Sequence, residues 1–205
     1  ALGISALVAY IVGNSSQVAM MIFTTPVVYI VMFAPLIHIF LFGRNLMSMN
    51  KKQAMLHLGI FATLNGLSLG SIFLIYTTAS IAKTFFITAS TFGVMSLYGY
   101  TTKKDLTAAG SFVYMGLIGL IIASLINIFL RSAALDFAVS FIGVGIFTIL
   151  TAYDTQKLKS IYYSMNGTTA RAGSIAVYGA LTLYLDFINL FTMLLHFFGI
   201  RRNDD

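Results

Sequence analysis

The length of its charge-free stretches constrains this chain more than any other feature. No Asp, Glu, Lys or Arg occurs in residues 1–43, 53–82, 84–102, 106–130 or 137–153. A helix needs about 20 consecutive apolar residues to cross the hydrocarbon core of a bilayer. Several of these stretches reach that length, and in lipid a helix satisfies all its backbone polar groups internally. Charged residues make up 9% of the chain, against about 25% in a typical soluble domain. The sequence therefore predicts an all-α membrane protein that crosses the bilayer several times. No Pro-, Gly- or Ser-rich linker separates the blocks, so residues 1–205 are expected to form a single polytopic domain.

Seven spans are read in order: residues 1–12, 26–42, 54–76, 85–100, 106–130, 137–155 and 180–198. The first begins inside an apolar run, so the natural N-terminus is expected to lie upstream, and no cleavable signal peptide is visible. Residues 13–16 read as a polar turn. Pro35 predicts a kink in the second span, and the spacing of Gly66 and Gly70 in the third permits close helix contact. Residues 77–83 read as a tight turn and 156–173 as the longest loop. Lys and Arg set the orientation: Arg44, Lys51, Lys52, Lys103, Lys104, Lys157, Lys159 and Arg171 lie in alternate loops, while the others hold only Lys83 and Arg131. The positive-inside rule then puts the N-terminus in the cytoplasm. Seven spans would put the C-terminus outside, which Arg201 and Arg202 weakly oppose. Tyr100, Tyr153 and Tyr162 are expected to anchor the interfaces, since the chain has no Trp. The net charge of +6 lies at span ends, where the bilayer explains it, and nucleic acid is not implied.

The last span, ALTLYLDFINLFTMLLHFF, carries an ionisable Asp186 near its middle. Thr182, Asp186, Asn189, Met193 and His196 follow at spacings of three and four, which places them on one helical stripe. A carboxylate at membrane depth costs roughly 2.5–3.5 kcal/mol on insertion scales and faces a protein interior or a water-filled path. The picture is a seventh helix with one polar stripe, wrapped by six apolar ones.

All six acidic residues are Asp. Asp105, Asp136, Asp204 and Asp205 fall in loops or the tail and read as solvated turns or caps. Asp154, in LTAYDTQKLK, ends the sixth span, one helix before Asp186. Consecutive helices often pack side by side, so the two carboxyls can meet. Alternatively Asp154 pairs with Lys157 or Lys159, and Asp186 is a buried group bonded to Asn or Tyr. Two carboxyls that meet away from water cannot both ionise easily, and a shared proton is the usual outcome. That suits a proton sensor near neutrality, or weak, transient Ca²⁺ coordination by Asp154 and Asp186, since Ca²⁺ prefers oxygen ligands and two acids make no tight cage. Arg44 ends the second span on the side of Asp154, and either pairs with it or serves as a plain interfacial anchor. His38, His57 and His196 show no metal-ligand spacing and read as packing residues. Asn65 and Asn127 read as partners between helices. The chain has no Cys, which excludes disulfides and thiol chemistry.

Three stretches carry a resemblance: LYGYTTKKDL (97–106), LTAYDTQKLK (150–159) and ALTLYLDFINLF (180–191). They are similar to the bacterial branch of the Bax inhibitor-1 family, and the order of spans agrees over essentially the whole chain. The resemblance implies seven transmembrane helices, three antiparallel pairs around a central seventh helix. It implies a pH-sensitive calcium leak in the cell inner membrane, in which Asp154 and Asp186 match the family's aspartyl dyad. Arg44 matches the arginine that latches the first of these. Thr182, Asn189 and His196 would line the stripe in support. The implied partners are the lipid bilayer, calcium ions and protons. The chain is expected to be a monomer without a cofactor, calcium being the permeating ion.

Two other functions compete. A membrane regulator that binds another membrane protein, such as a membrane protease, would need no transport of its own. An intramembrane aspartyl protease also places Tyr-Asp in one helix and a second Asp in the next. Its second motif, Gly-x-Gly-Asp with a later Pro-Ala-Leu, is absent: Leu183, Tyr184 and Leu185 precede Asp186, and no proline follows Pro35. No enzyme activity is expected.

Overall fold

A computed structural model of the chain describes residues 1–164 and 169–202, with side chains for all of these except 169–171. Nine α-helices are seen among the described residues: α1 Leu2–Asn14, α2 Ser16–Phe23, α3 Val27–Phe42, α4 Lys51–Leu69, α5 Ile72–Ile75, α6 Thr78–Thr101, α7 Thr107–Leu130, α8 Ala133–Ser164 and α9 Thr169–Phe198. Six stretches are long and apolar enough to cross a membrane: Val27–Asn45, Lys51–Ile75, Thr78–Thr101, Thr107–Leu130, Ala133–Ser164 and Ala172–Phe198. The pair α1 and α2, bent by 96°, makes up to a seventh. The all-α, membrane-spanning class expected from the charge-free runs is thus seen.

Local chemistry sets the boundaries. Asn50 opens α4 with a capping box: its side chain accepts from the Gln53 amide at 2.9 Å, and the Asn50 amide donates to the Gln53 side chain at 3.4 Å. α3 runs through Pro35 without ending. α7 stops at Arg131, which adopts the left-handed conformation, while the Asn127 side chain accepts from the Ser132 amide at 2.9 Å.

Several boundaries differ from the sequence reading. Residues 78–83 are the first turns of α6 rather than a tight turn. The expected long loop 156–173 is mostly helix, because α8 runs to Ser164 and α9 starts at Thr169. The onset of charge at Asp154 and Lys157 marks a span end, but Lys, Gln and Leu are good helix formers and nothing in 155–164 breaks the helix. The remaining loop, 165–168, and the tail with Asp204 and Asp205 lie outside the described residues. Asn65 and Asn127 do not bridge helices through these bonds: Asn65 donates to the Phe61 carbonyl of its own helix, and Asn127 caps α7.

The chain divides into two compact units: Ala1–Thr78 with Met165–Tyr184 and Ile200–Asp205, and Ala79–Ser164 with Leu185–Gly199. In the first, α1 and α3 both pack on α4, and α2 packs on α1 and α3. Gly66 makes the α1–α4 approach possible, since a Cβ there would lie 2.7 Å from Val8 and 2.8 Å from the Ser5 carbonyl. The C-terminal segment joins this unit as well. Arg201 pairs with Tyr76, the Thr77 amide donates to the Ile200 carbonyl at 2.9 Å, and the Arg202 amide donates to the Ile75 carbonyl at 2.9 Å. Arg201 and Arg202 therefore sit at the far end of α4 from Lys51, beside the turn into α6.

In the second unit α7 packs along α8. Its core joins Val113 and Leu120 of α7, Ile146, Phe147 and Leu150 of α8, and Leu190 and Leu194 of α9. Within the α9 span 44% of residues are buried, against 11–33% in the other spans. α9 buries Leu181, Tyr184, Phe187, Leu190, Phe191, Leu194 and Leu195.

Candidate functional site: a buried pair of carboxyls

Asp154 lies on α8 and Asp186 on α9, both in the second unit and 3% and 5% exposed. The two carboxyls lie close enough that each feels the charge and protonation of the other. A hydrogen bond between two carboxyls requires a proton on one of them. The Tyr114 hydroxyl of α7 donates to Asp154 Oδ1 at 3.3 Å. Asp186 Oδ2 is buried and has no hydrogen-bond partner.

Packing holds the pair in place. A Cβ at Gly99 would overlap the carbonyl of Ala152, so α6 reaches the backbone of α8 two residues before Asp154. At Gly110 the missing side chain leaves room for the ring of Tyr153, which meets Tyr114 edge to face at 5.9 Å. Phe187, next to Asp186, meets Phe85 at 5.5 Å and Phe92 at 5.4 Å. Thr84 is fully buried and its hydroxyl is unpartnered.

The end of α8 is clamped as well. Gln156 donates from Nε2 to the Lys104 carbonyl at 2.8 Å and accepts from the Leu106 amide at 2.9 Å. Lys159 donates to the Tyr100 carbonyl at 2.6 Å and lies 4.9 Å above the Tyr100 ring.

The other residues singled out in the sequence are placed as follows. Arg44 is exposed in the 3₁₀ turn Gly43–Asn45 that ends α3, in the first unit. The Thr182 hydroxyl donates to the Tyr178 carbonyl of its own helix, at 3.1 Å. Asn189 is half-buried. His196 is exposed, with Nδ1 at 3.6 Å from Asp136 in the first turn of α8. The stripe is thus fully buried only at Asp186. His38 and His57 pack together at 5.4 Å, with Phe42 4.4 Å from His57. Tyr153 is half-buried against Gly110, so it is not a free interfacial anchor; Tyr100 and Tyr162 are exposed. No group of three or more His or Asp able to hold a metal occurs among the described residues. The pair therefore offers oxygen ligands without forming a closed cage.

Tyr114, which the sequence reading did not single out, sits in the apolar stretch SFVYMGL. A phenol in the middle of a span needs a partner for its hydroxyl, and that was the available signal.

The family model described as inhibitor of apoptosis-promoting Bax1 matches residues 1–203. An uncharacterised protein of Rickettsia prowazekii is 53% identical over 178 residues, covering 85% of this chain and 73% of its own. A protein of Caulobacter vibrioides is 51% identical over 178 residues, 87% of this chain and 71% of its own. The inner membrane protein YbhL of Escherichia coli is 46% identical over 201 residues, 97% of this chain and 86% of its own.

Proposed function

The chain belongs to the Bax inhibitor-1 family, and on that premise we propose that it is a pH-sensitive calcium leak channel rather than an enzyme. The observation that carries this reading is the carboxyl pair Asp154–Asp186, buried, tied to Tyr114, and left with one unpartnered oxygen on Asp186. Two carboxyls held together away from water share a proton rather than both ionise, and their oxygens offer Ca²⁺ a weak, passing site. Three antiparallel helix pairs around α9 are the architecture inferred for it; the burial of α9 and the packing of α7 on α8 support this. The inner-membrane relative supports a location in the inner membrane, and the Lys and Arg pattern supports a cytoplasmic N-terminus.

Gating follows from charge. Ionised Asp154 attracts the Arg44 latch and keeps the channel closed. Protonation removes the attraction and opens it, while protons also compete with Ca²⁺ for the pair. A charge-assisted bond is worth roughly 1.5–3 kcal/mol, and about 1.4 kcal/mol already changes a closed-to-open ratio tenfold.

The test is Ca²⁺ flux in proteoliposomes of the purified chain from about pH 5 to pH 8, the range around neutrality in which gating is proposed. Asp154→Asn should flatten the pH response, since the latch no longer has a charge to hold. Asp186→Asn should move opening to lower pH, since it removes the like charge beside Asp154. Arg44→Ala should raise flux at neutral pH. If all three keep the parent's profile, the pair does not gate the protein, and binding of another membrane protein becomes the leading reading.

A further inference from the structure

Beyond the carboxyl pair, the second unit carries a cleft between the α6–α7 connection and α8. Its volume is about 380 Å³, within the size range of small-ligand sites. Lys103 and Lys104 line it from the α6–α7 connection and Lys157 from α8, together with Tyr153 and Ile161 of the same helix. The fourth charged residue of the wall is Asp105, whose Oδ1 is already occupied by the Thr107 amide at 2.9 Å and the Thr107 hydroxyl at 2.6 Å.

The cleft is a built feature rather than a chance meeting of surface lysines. Gln156 bonds the connection on both sides of Asp105, through the Lys104 carbonyl and the Leu106 amide, and so fixes the distance between the two walls. Lys159 is directed elsewhere, onto the Tyr100 carbonyl and ring. Lys103, Lys104 and Lys157 therefore line one cavity, with the Lys157 ammonium 5.7 Å above the Tyr153 ring and with one carboxylate, Asp105, whose Oδ1 is held by Thr107.

We propose that this cleft binds a phosphate-bearing anion, with the lysines on the phosphate and Tyr153 and Ile161 beside its apolar part. Lysines at the ends of apolar spans, with Tyr153 and Ile161 in the same lining, favour the headgroup of an anionic phospholipid over free phosphate. The inference does not depend on whether the carboxyl pair gates calcium.

The test uses the purified full chain in nanodiscs of zwitterionic phosphatidylcholine. Short-chain phosphatidylglycerol, short-chain phosphatidylcholine or inorganic phosphate is added, and the thermal midpoint is read against concentration. A ligand of the folded state raises the midpoint in a saturable way. Phosphatidylglycerol should do so and phosphatidylcholine should not. Each basic residue near an anionic headgroup is worth about fivefold in affinity, so Lys103→Gln/Lys104→Gln/Lys157→Gln should weaken the response on the order of a hundredfold. The control Lys51→Gln/Lys52→Gln/Lys83→Gln removes the same charge elsewhere and should respond like the parent. All three cleft lysines are exposed, so the unliganded midpoint should not move; if it does, Lys157→Gln alone should still show a several-fold loss. Protection by inorganic phosphate at the same concentrations would support the site and assign it to free phosphate. Equal protection by phosphatidylcholine, or an undiminished response in the cleft variant, would overturn the proposal.

Discussion

The hydroxyl of Tyr114 on α7 donates to Oδ1 of Asp154 on α8 across 3.3 Å, beside Asp186 of α9. A donated hydrogen bond favours the ionised form of a carboxyl over its neutral form. Tyr114→Phe removes the donor and keeps the ring that meets Tyr153 edge to face. Under the proposed gating, proton-driven opening should then shift to higher pH. A bond of this length is worth about 1 kcal/mol, which corresponds to roughly 0.7 pH unit. Flux in proteoliposomes against pH measures the shift, and a profile unchanged or moved to lower pH would show that Tyr114 does not tune the pair.

The spans were legible because charge avoids lipid so strongly that its absence over 20 residues has few other causes. Asp186 was legible for the same reason, as an ionisable group inside such a run. Where helices end was much less so. Charge marks the edge of the bilayer, and α8 runs on from Asp154 to Ser164 because Gln156, Lys157 and Lys159 are as content in a helix in water as in its last membrane turn. Polar partnership was the least legible. Asn65 and Asn127 look from sequence like links between helices, yet both bond to their own helix or its end. Tyr114 looks like one more aromatic in an apolar stretch, yet it meets a carboxyl 40 residues away. Which partner a buried donor takes depends on how neighbouring helices are rotated, and spacing along one helix carries none of that.

The approach of α6 to α8 rests on Gly99, where a Cβ would overlap the Ala152 carbonyl. Backbone cannot give way as a flexible side chain can, so Gly99→Val should destabilise the protein by about 1–3 kcal/mol, the usual cost of overpacking. Gly93 is on the same helix with nothing within 4 Å of the corresponding position. Gly93→Ala should leave stability unchanged or slightly raised, because alanine is the better helix former. Thermal unfolding in detergent compares the two. Equal losses at both positions would mean that helix propensity, not the approach to Ala152, decides.

Asp105 offers a pH effect outside the membrane. Its carboxyl is held below the ordinary value of 3.8, first by the Thr107 hydroxyl and then by the Thr107 amide. A carboxyl depressed on folding contributes stability that is present above its unfolded value and lost as pH falls through its folded one. Protection of the Thr107 amide from hydrogen exchange, corrected for the intrinsic rate, should therefore decline as pH drops below 3.8. In Asp105→Ala the protection should be low throughout and free of this dependence. A parent that keeps full protection well below that pH would contradict the assignment.

Within the first unit, Ser5 of α1 and Tyr184 of α9 are 1% and 3% exposed and bonded hydroxyl to hydroxyl at 2.7 Å. Ser5 Oγ also bonds the Ala62 carbonyl at 2.7 Å. A carbonyl only accepts, so the single serine proton goes to Ala62, and Tyr184 is the donor to Ser5. The two truncations are then unequal. Tyr184→Phe leaves Ser5 its carbonyl partner and should cost about 1 kcal/mol or less. Ser5→Ala strands a buried phenol proton and should cost more, about 1–3 kcal/mol. Combining them removes donor and acceptor together, so the double variant should cost less than the sum of the singles by about 0.6–1.7 kcal/mol, the range of hydrogen bonds between helices in membranes. Unfolding free energies of the four proteins in one detergent give the coupling. Strict additivity, or a Tyr184→Phe cost above that of Ser5→Ala, would reverse the direction assigned to this bond.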